Sequence, residues 1–126
     1  MIQRYLIVFA FIIASGYSSS AQNQIKIDSL LTIYKNQKED SLKVKTAHAL
    51  YYLYYGHKPK LALQYSLEGL ELAKRINYTK GIAKSFNHKG AYFMITREID
   101  SSKYYFTKSL NIYNSLNEKH EAGLVS

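Results

Sequence analysis

Four histidines are the residues of this chain best suited to acid–base or metal chemistry: His48, His57, His88 and His120. His48 and His88 stand forty positions apart. Helices packed side by side have axes about 10 Å apart, whereas zinc holds its ligands at about 2 Å. On successive stacked helices the two rings are therefore expected to be surface or groove histidines that do not share an ion. His57 lies in a turn beside Pro59 and His120 follows Lys119, and both are expected in exposed segments. Paired carboxylates are scarce. Glu68 and Glu71 are three apart, and Glu98 and Asp100 flank a turn, whereas two-acid hydrolysis needs carboxyl groups facing across a cleft. The serines have no base near them in the sequence, and no glycine-rich phosphate loop occurs. The absence of cysteine excludes disulfides, thiolate metal sites and thiol nucleophiles. These residues predict a non-enzyme with no cofactor and no bound metal.

Tyrosine is the unusual residue, with 13 in the chain. The run YYLYY at 51–55 offers aromatic surface for peptides, sugars or bases. Helical phase divides it: Tyr52 is expected beside the packed stripe, while Tyr51 and Tyr55, four apart, share a face with His48.

The elements that must carry these residues are helical. One proline and six glycines are too few for the turns of an all-β chain, and 47% hydrophobic with 21% charged residues is ordinary for a folded domain. A net charge of +8 points to nucleic acid or an anionic surface only where the cations cluster. Here the lysines are scattered, so no nucleic-acid partner is expected. Sliding the sequence by forty positions aligns it with itself. Leu70 falls on Leu110, Tyr65 on Tyr105, Gly69 on Ser109, Ala62 on Ser102, His48 on His88 and Tyr52 on Tyr92. Within one period there are two helical patterns. Residues 41–55 place Leu42, Thr46, Ala49, Leu50 and Leu53 on one stripe. GHKPK interrupts it, with Gly56 suited to end a helix and Pro59 to open the next. Residues 59–76 carry Leu61, Ala62, Tyr65, Ser66, Gly69, Leu70 and Ala73. The pattern returns over 79–95 and 99–115, and 25–36 reads as a lone helix of the second type.

A recurring helix–turn–helix with small residues at the contacts resembles the tetratricopeptide repeat, whose pattern is W-x₂-L-G-x₂-Y, A-x₃-F and a closing proline. Phe86, Lys89-Gly90 and Phe93 occupy the first block, and Ser102 with Phe106 the second. Lys89 replaces the usual leucine, Leu50 stands where the first repeat would carry glycine, no proline closes either repeat, and the period exceeds the usual 34 residues. The resemblance covers roughly residues 25–126. It implies an all-α solenoid of antiparallel helix pairs, incomplete at its C-terminal end, in which a protein or peptide segment lies in a concave groove. Carried onto this chain, the groove residues are Val44, His48, Tyr51 and Tyr55 from the first repeat and Lys84, Asn87, His88 and Ala91 from the second. The chaperone-type carboxylate clamp is not reproduced, because its places hold Ala47, Tyr51 and His88. The repeat also gives Gly90 a purpose. A glycine within a helix costs about 1 kcal/mol relative to alanine, and its missing side chain is expected to admit the next helix near Ser102 and Phe106, with Phe86 and Phe93 on either side.

The N-terminal sequence has one basic residue, Arg4, an apolar run from Tyr5 to Ala14, and Ser19-Ser20-Ala21, small at the positions a signal peptidase reads. The run is about half the 20 residues a spanning helix needs. A leader cleaved after Ala21 is expected, sending the chain to the periplasm or cell envelope. The expected organisation is then a leader at 1–21, a linker and lone helix at 22–40, repeats at 41–78 and 79–118, and the start of a further repeat at 119–126. The opening of the mature chain resembles exported tetratricopeptide regions that precede histidine kinases or regulators in Bacteroidetes-type bacteria. That likeness implies a non-catalytic interaction or sensory scaffold, with a membrane link only through a downstream segment. The alternative is a glycan-binding helical-repeat subunit using Tyr51 and Tyr55.

Overall fold

The computed structural model describes residues 20–121, and among them the chain is all-α, with no strand. Five helices follow one another: α1 over 20–36, α2 Ser41–Tyr54, α3 Pro59–Arg75, α4 Thr79–Ile95 and α5 Ile99–Glu121. The expected leader lies outside the described residues except for its last two positions, which are helical as the start of α1. The helix pairs α2–α3 and α4–α5 fall within 41–78 and 79–118, but α5 passes 118 unbroken to Glu121. No glycine or proline occurs between 99 and 121 to stop it. Among the described residues no helix is long and apolar enough to cross a membrane.

Local chemistry sets the helix boundaries. The Asp40 carboxylate accepts from the backbone N–H of Leu42 at 2.9 Å and of Lys43 at 3.2 Å, capping α2. Pro59 opens α3, where its missing N–H leaves no donor unsatisfied. The next two joints share one device. After α3, Tyr78 N–H reaches back to Ala73 O (2.8 Å) across Asn77 at φ 57; after α4, Glu98 N–H reaches Phe93 O (2.9 Å) across Arg97 at φ 62. These are the six-to-one bonds of a left-handed helix cap.

α2 packs on α3, α3 on α4 and α4 on α5; α2 also touches α4, while α3 and α5 stay apart among the described residues. One apolar cluster joins α1, α2 and α3 through Ile27, Leu50, Tyr51, Tyr54 and Ala62. A second joins Val44 to Leu72 and Ala73, with Ile76, Tyr78 and Ile82 against it. The α4–α5 contact uses small residues instead. A β-carbon built on Gly90 would sit 2.8 Å from the Phe106 ring, and Ser102 Oγ donates to Gly90 O at 2.9 Å. Ser109 Oγ likewise donates to Ala83 O at 2.7 Å. Gly90 thus admits α5 at the two residues the sequence singled out. Leu42 departs from its expected place in the packed stripe: it is exposed, because two residues beyond the Asp40 cap it lies outside the faces that α3 and α4 cover.

Candidate functional site

The residues read as groove-lining converge on the seam where α4 crosses α2 and α3, and the seam is closed rather than open. His48 and His88 are 2% and 1% exposed, and Tyr51 and Val44 are also buried. The expectation that these four line an accessible groove is corrected, as is the expected distance between the histidines. Their rings meet edge to face with centroids 4.9 Å apart. Small residues bring the helices that close. Gly81 lies against Val44, where a β-carbon would be 3.0 Å from a Val44 methyl, and Gly69 lies against Ala47 at 3.1 Å. The usual spacing of helix axes does not include so close an approach.

Each histidine is tied to a serine on a different helix. His48 Nε2, on α2, is 2.8 Å from Ser85 Oγ on α4, and His88 Nδ1, on α4, is 2.9 Å from Ser66 Oγ on α3. Tyr51 stacks on His88 at 3.7 Å between centroids with an interplanar angle of 10°. Tyr52 meets the same imidazole edge-on at 5.0 Å. His88 Nε2 is buried with no hydrogen-bond partner among the described residues. Desolvation by burial lowers both imidazoles, and the Lys84 charge adds to it: His48 falls to about 4 and His88, which also feels His48, to about 3. Burial pushes the Tyr51 phenol up. At neutral pH the cluster is therefore an uncharged polar core.

The remaining predicted residues border this core. Lys84, Tyr55 and Ala91 are half-buried and Asn87 is exposed. Tyr52, expected to pack, is 58% exposed and holds Lys84 Nζ 5.4 Å from its ring centre. The accessible edge of the seam is thus Tyr52, Tyr55, Lys84, Asn87 and Ala91. Glu68 and Glu71 are exposed, engaged by Tyr34 (2.8 Å) and Lys74 (3.4 Å). His57 is exposed in its turn and His120 is exposed on α5. Among the described residues no group of three or more His, Cys, Asp or Glu side chains gathers as a metal cluster would.

Two features escaped sequence reasoning. Ser66 and Ser85 are buried partners of the histidines; Ser85 stands one helical turn before His88, a spacing that gives the only sequence signal for it. The second is a surface cavity of about 680 Å³ bordered by α1, the start of α2 and α3, with Tyr34, Lys43, Leu67, Leu72 and Arg75 in its lining. Its residues are spread over more than forty positions, so no linear motif marks it. Arg75 is paired there with Glu39 at 3.1 Å.

Compared with protein-family models, curated proteins and solved structures, the chain finds no match.

Proposed function

We propose that this chain is a non-catalytic protein-interaction or sensory scaffold of the tetratricopeptide type, exported by its leader. The observation that carries this reading is the order of helix contacts. The first-type helices α2 and α4 touch each other while the second-type helices α3 and α5 stay apart, as expected of helix pairs stacked along an inner wall and splayed at the outer one. The recurrence of small residues at the contacts, Gly69 on Ala47 and Gly90 on Phe106, supports the same reading.

The interaction surface follows from the forty-residue translation. In the first pair, α4 covers Val44, Tyr51, Ser66 and Ala73, all buried. Their equivalents in the second pair, Lys84, Ala91, Phe106 and Tyr113, are only half-buried. Leu70 is 4% exposed and its equivalent Leu110 58%. A partner segment lying along α4 and the facing side of α5 would gain apolar contact from Ala91, Leu110 and Tyr113 and hydrogen bonds from Asn87 and Lys84. Chemical cross-linking and mass spectrometry on the full chain and on Asn87→Glu/Leu110→Glu tests this. Cross-linked partners should disappear from the variant while its circular dichroism stays unchanged; equal recovery from both proteins defeats the assignment.

The glycan reading moves to another surface, because Tyr51 is buried. Phe86 and Phe93 stack on Tyr105 at 6.0 and 5.5 Å, with exposed Tyr104 beside it, an aromatic row of the kind sugar rings stack on. Glycan binding that vanishes in Tyr104→Ala would favour it over the protein partner.

A further inference from the structure

We propose that the α2–α3–α4 seam is an acid-operated latch: proton uptake by His48 and His88 parts the α4–α5 pair from α1–α3, leaving each side helical. This concerns regulation of the scaffold, yet it rests on the seam's own geometry and stands independently of what the scaffold binds.

The seam holds only the neutral rings well. A neutral imidazole offers one donor and one acceptor, and a serine hydroxyl can match either. Both nitrogens of a protonated ring are donors. Protonated His88 would carry an N–H at Nε2, an atom already buried without a partner, next to a second imidazole 4.9 Å away. Among the described residues, no element packed on the pair supplies a counter-charge. From α2 come the rings of Tyr51 and Tyr52, from α3 the Ser66 hydroxyl and the Gly69 backbone, and from α4 Ser85. The charge that reaches both histidines is Lys84, and it is positive. The carboxylates of α3, Glu68 and Glu71, are exposed and engaged elsewhere by Tyr34 and Lys74. Two protons would thus place three positive charges at one buried joint, a state relieved only by letting water in.

The joint that opens is defined by what the histidines connect. His48 to Ser85 ties α2 to α4, and His88 to Ser66 ties α4 to α3. The buried contacts that hold each side together rest on other groups. α4 and α5 are held by Gly90 against Phe106 and by the Ser102 and Ser109 hydroxyls on backbone carbonyls. Ile27, Leu50 and Ala62 hold α1, α2 and α3. Acid therefore acts on the boundary between the two sides.

The full chain has no cysteine, so Lys45→Cys on α2 and Lys103→Cys on α5, both exposed, accept a donor and acceptor dye on opposite sides of the seam. Between pH 7.5 and 5 the energy transfer should fall reversibly while the far-ultraviolet helical signal persists. Below about pH 6.5 the open-to-closed ratio should rise about tenfold for each unit the pH falls per proton taken up, and about 100-fold for two. In the same labelled protein, His48→Gln with His88→Asn keeps a polar atom at the nitrogen each histidine uses and removes the titration; its transfer should stay constant. An identical pH response in that variant overturns the proposal, as does constant transfer in the parent chain down to pH 4. If the double variant fails to fold, proton NMR of the histidine rings in the unsubstituted chain decides. Both should remain neutral until the helices part, and ordinary titration near 6.5 in a closed molecule overturns the latch.

Discussion

The two helix pairs share one sequence period yet place residues of opposite size at two equivalent positions. In the first pair, position 50 is a fully buried leucine and position 66 a buried serine. Forty residues on, the large and small members exchange places: position 90 is glycine and position 106 phenylalanine, in contact. The volume shared between facing helices is kept while the residue that supplies it changes side, as close packing requires. The pairs differ in a second way. The first is covered on both sides, by α1 and by α4, and its tyrosines are partly drawn into the interior. The second keeps Phe86, Phe93 and Tyr105 half-buried and leaves Tyr104 and Leu110 exposed. The repeated sequence sets the helices, and the neighbours on each side decide what is core.

The boundary between the pairs should respond most strongly. Below about pH 6.5 an unfolded chain takes up protons that His48 and His88 refuse while folded, since their folded values lie near 4 and 3. The unfolded state then binds more protons, so stability is complete above about 6.5 and falls with pH until the folded values are passed. Each histidine contributes about 1.4 kcal/mol per unit in that window. At pH 5 the loss should be about 4 kcal/mol for the two together, read as a lower urea midpoint than at pH 7.5. His48→Gln/His88→Asn should flatten this slope, and an unchanged slope would place the titration elsewhere.

One leucine from each pair should next separate the covered pair from the uncovered one. Leu50→Ala empties a fully enclosed site and should lower stability by about 3 kcal/mol, whereas Leu110→Ala, on an exposed face, should change it by less than about 0.5 kcal/mol. Equal urea shifts would mean that Leu110 is covered in solution. The exchange at 50/66 and 90/106 invites a double-mutant cycle. Gly90→Leu alone meets the Phe106 ring and should cost about 1–3 kcal/mol. Adding Phe106→Ser copies the first pair's residues into the second, and should recover roughly 1 kcal/mol or more of that loss. A strictly additive pair would show that the two sites pack by different rules.

Helical phase made much of this legible in advance. Gly90 beside Ser102 and Phe106, the break at Gly56 and the start at Pro59 follow from steric rules that act over a few residues. The burial of the seam did not follow, because the phase that groups His48 with Tyr51 does not say whether a helix covers that face. The distance between the histidines was misjudged for the same reason: Gly69 was read as a small residue without its effect on the separation of neighbouring helices, and Gly81 was not singled out. Leu42 and Tyr52, both apolar or aromatic and in phase with the stripe, are exposed because residue type fixes what burial would gain, not which face is met.

The joints between helices offer the smallest test, and one that the packing does not influence. Asn77 and Arg97 occupy the same left-handed cap, at φ 57 and φ 62. Asparagine tolerates that conformation, whereas the β-carbon of other residues, arginine included, is strained there by about 1–2 kcal/mol. Glycine removes the strain but adds freedom to the unfolded chain. Arg97→Gly should therefore stabilise the protein by about 0.5–1 kcal/mol, and Asn77→Gly by no more than a few tenths. Arg97→Ala separates backbone from side chain: it keeps a β-carbon at positive φ and should leave the urea midpoint nearly unchanged. If Arg97→Ala matches Arg97→Gly, the arginine side chain rather than the backbone is the source of strain, and the two joints differ in kind.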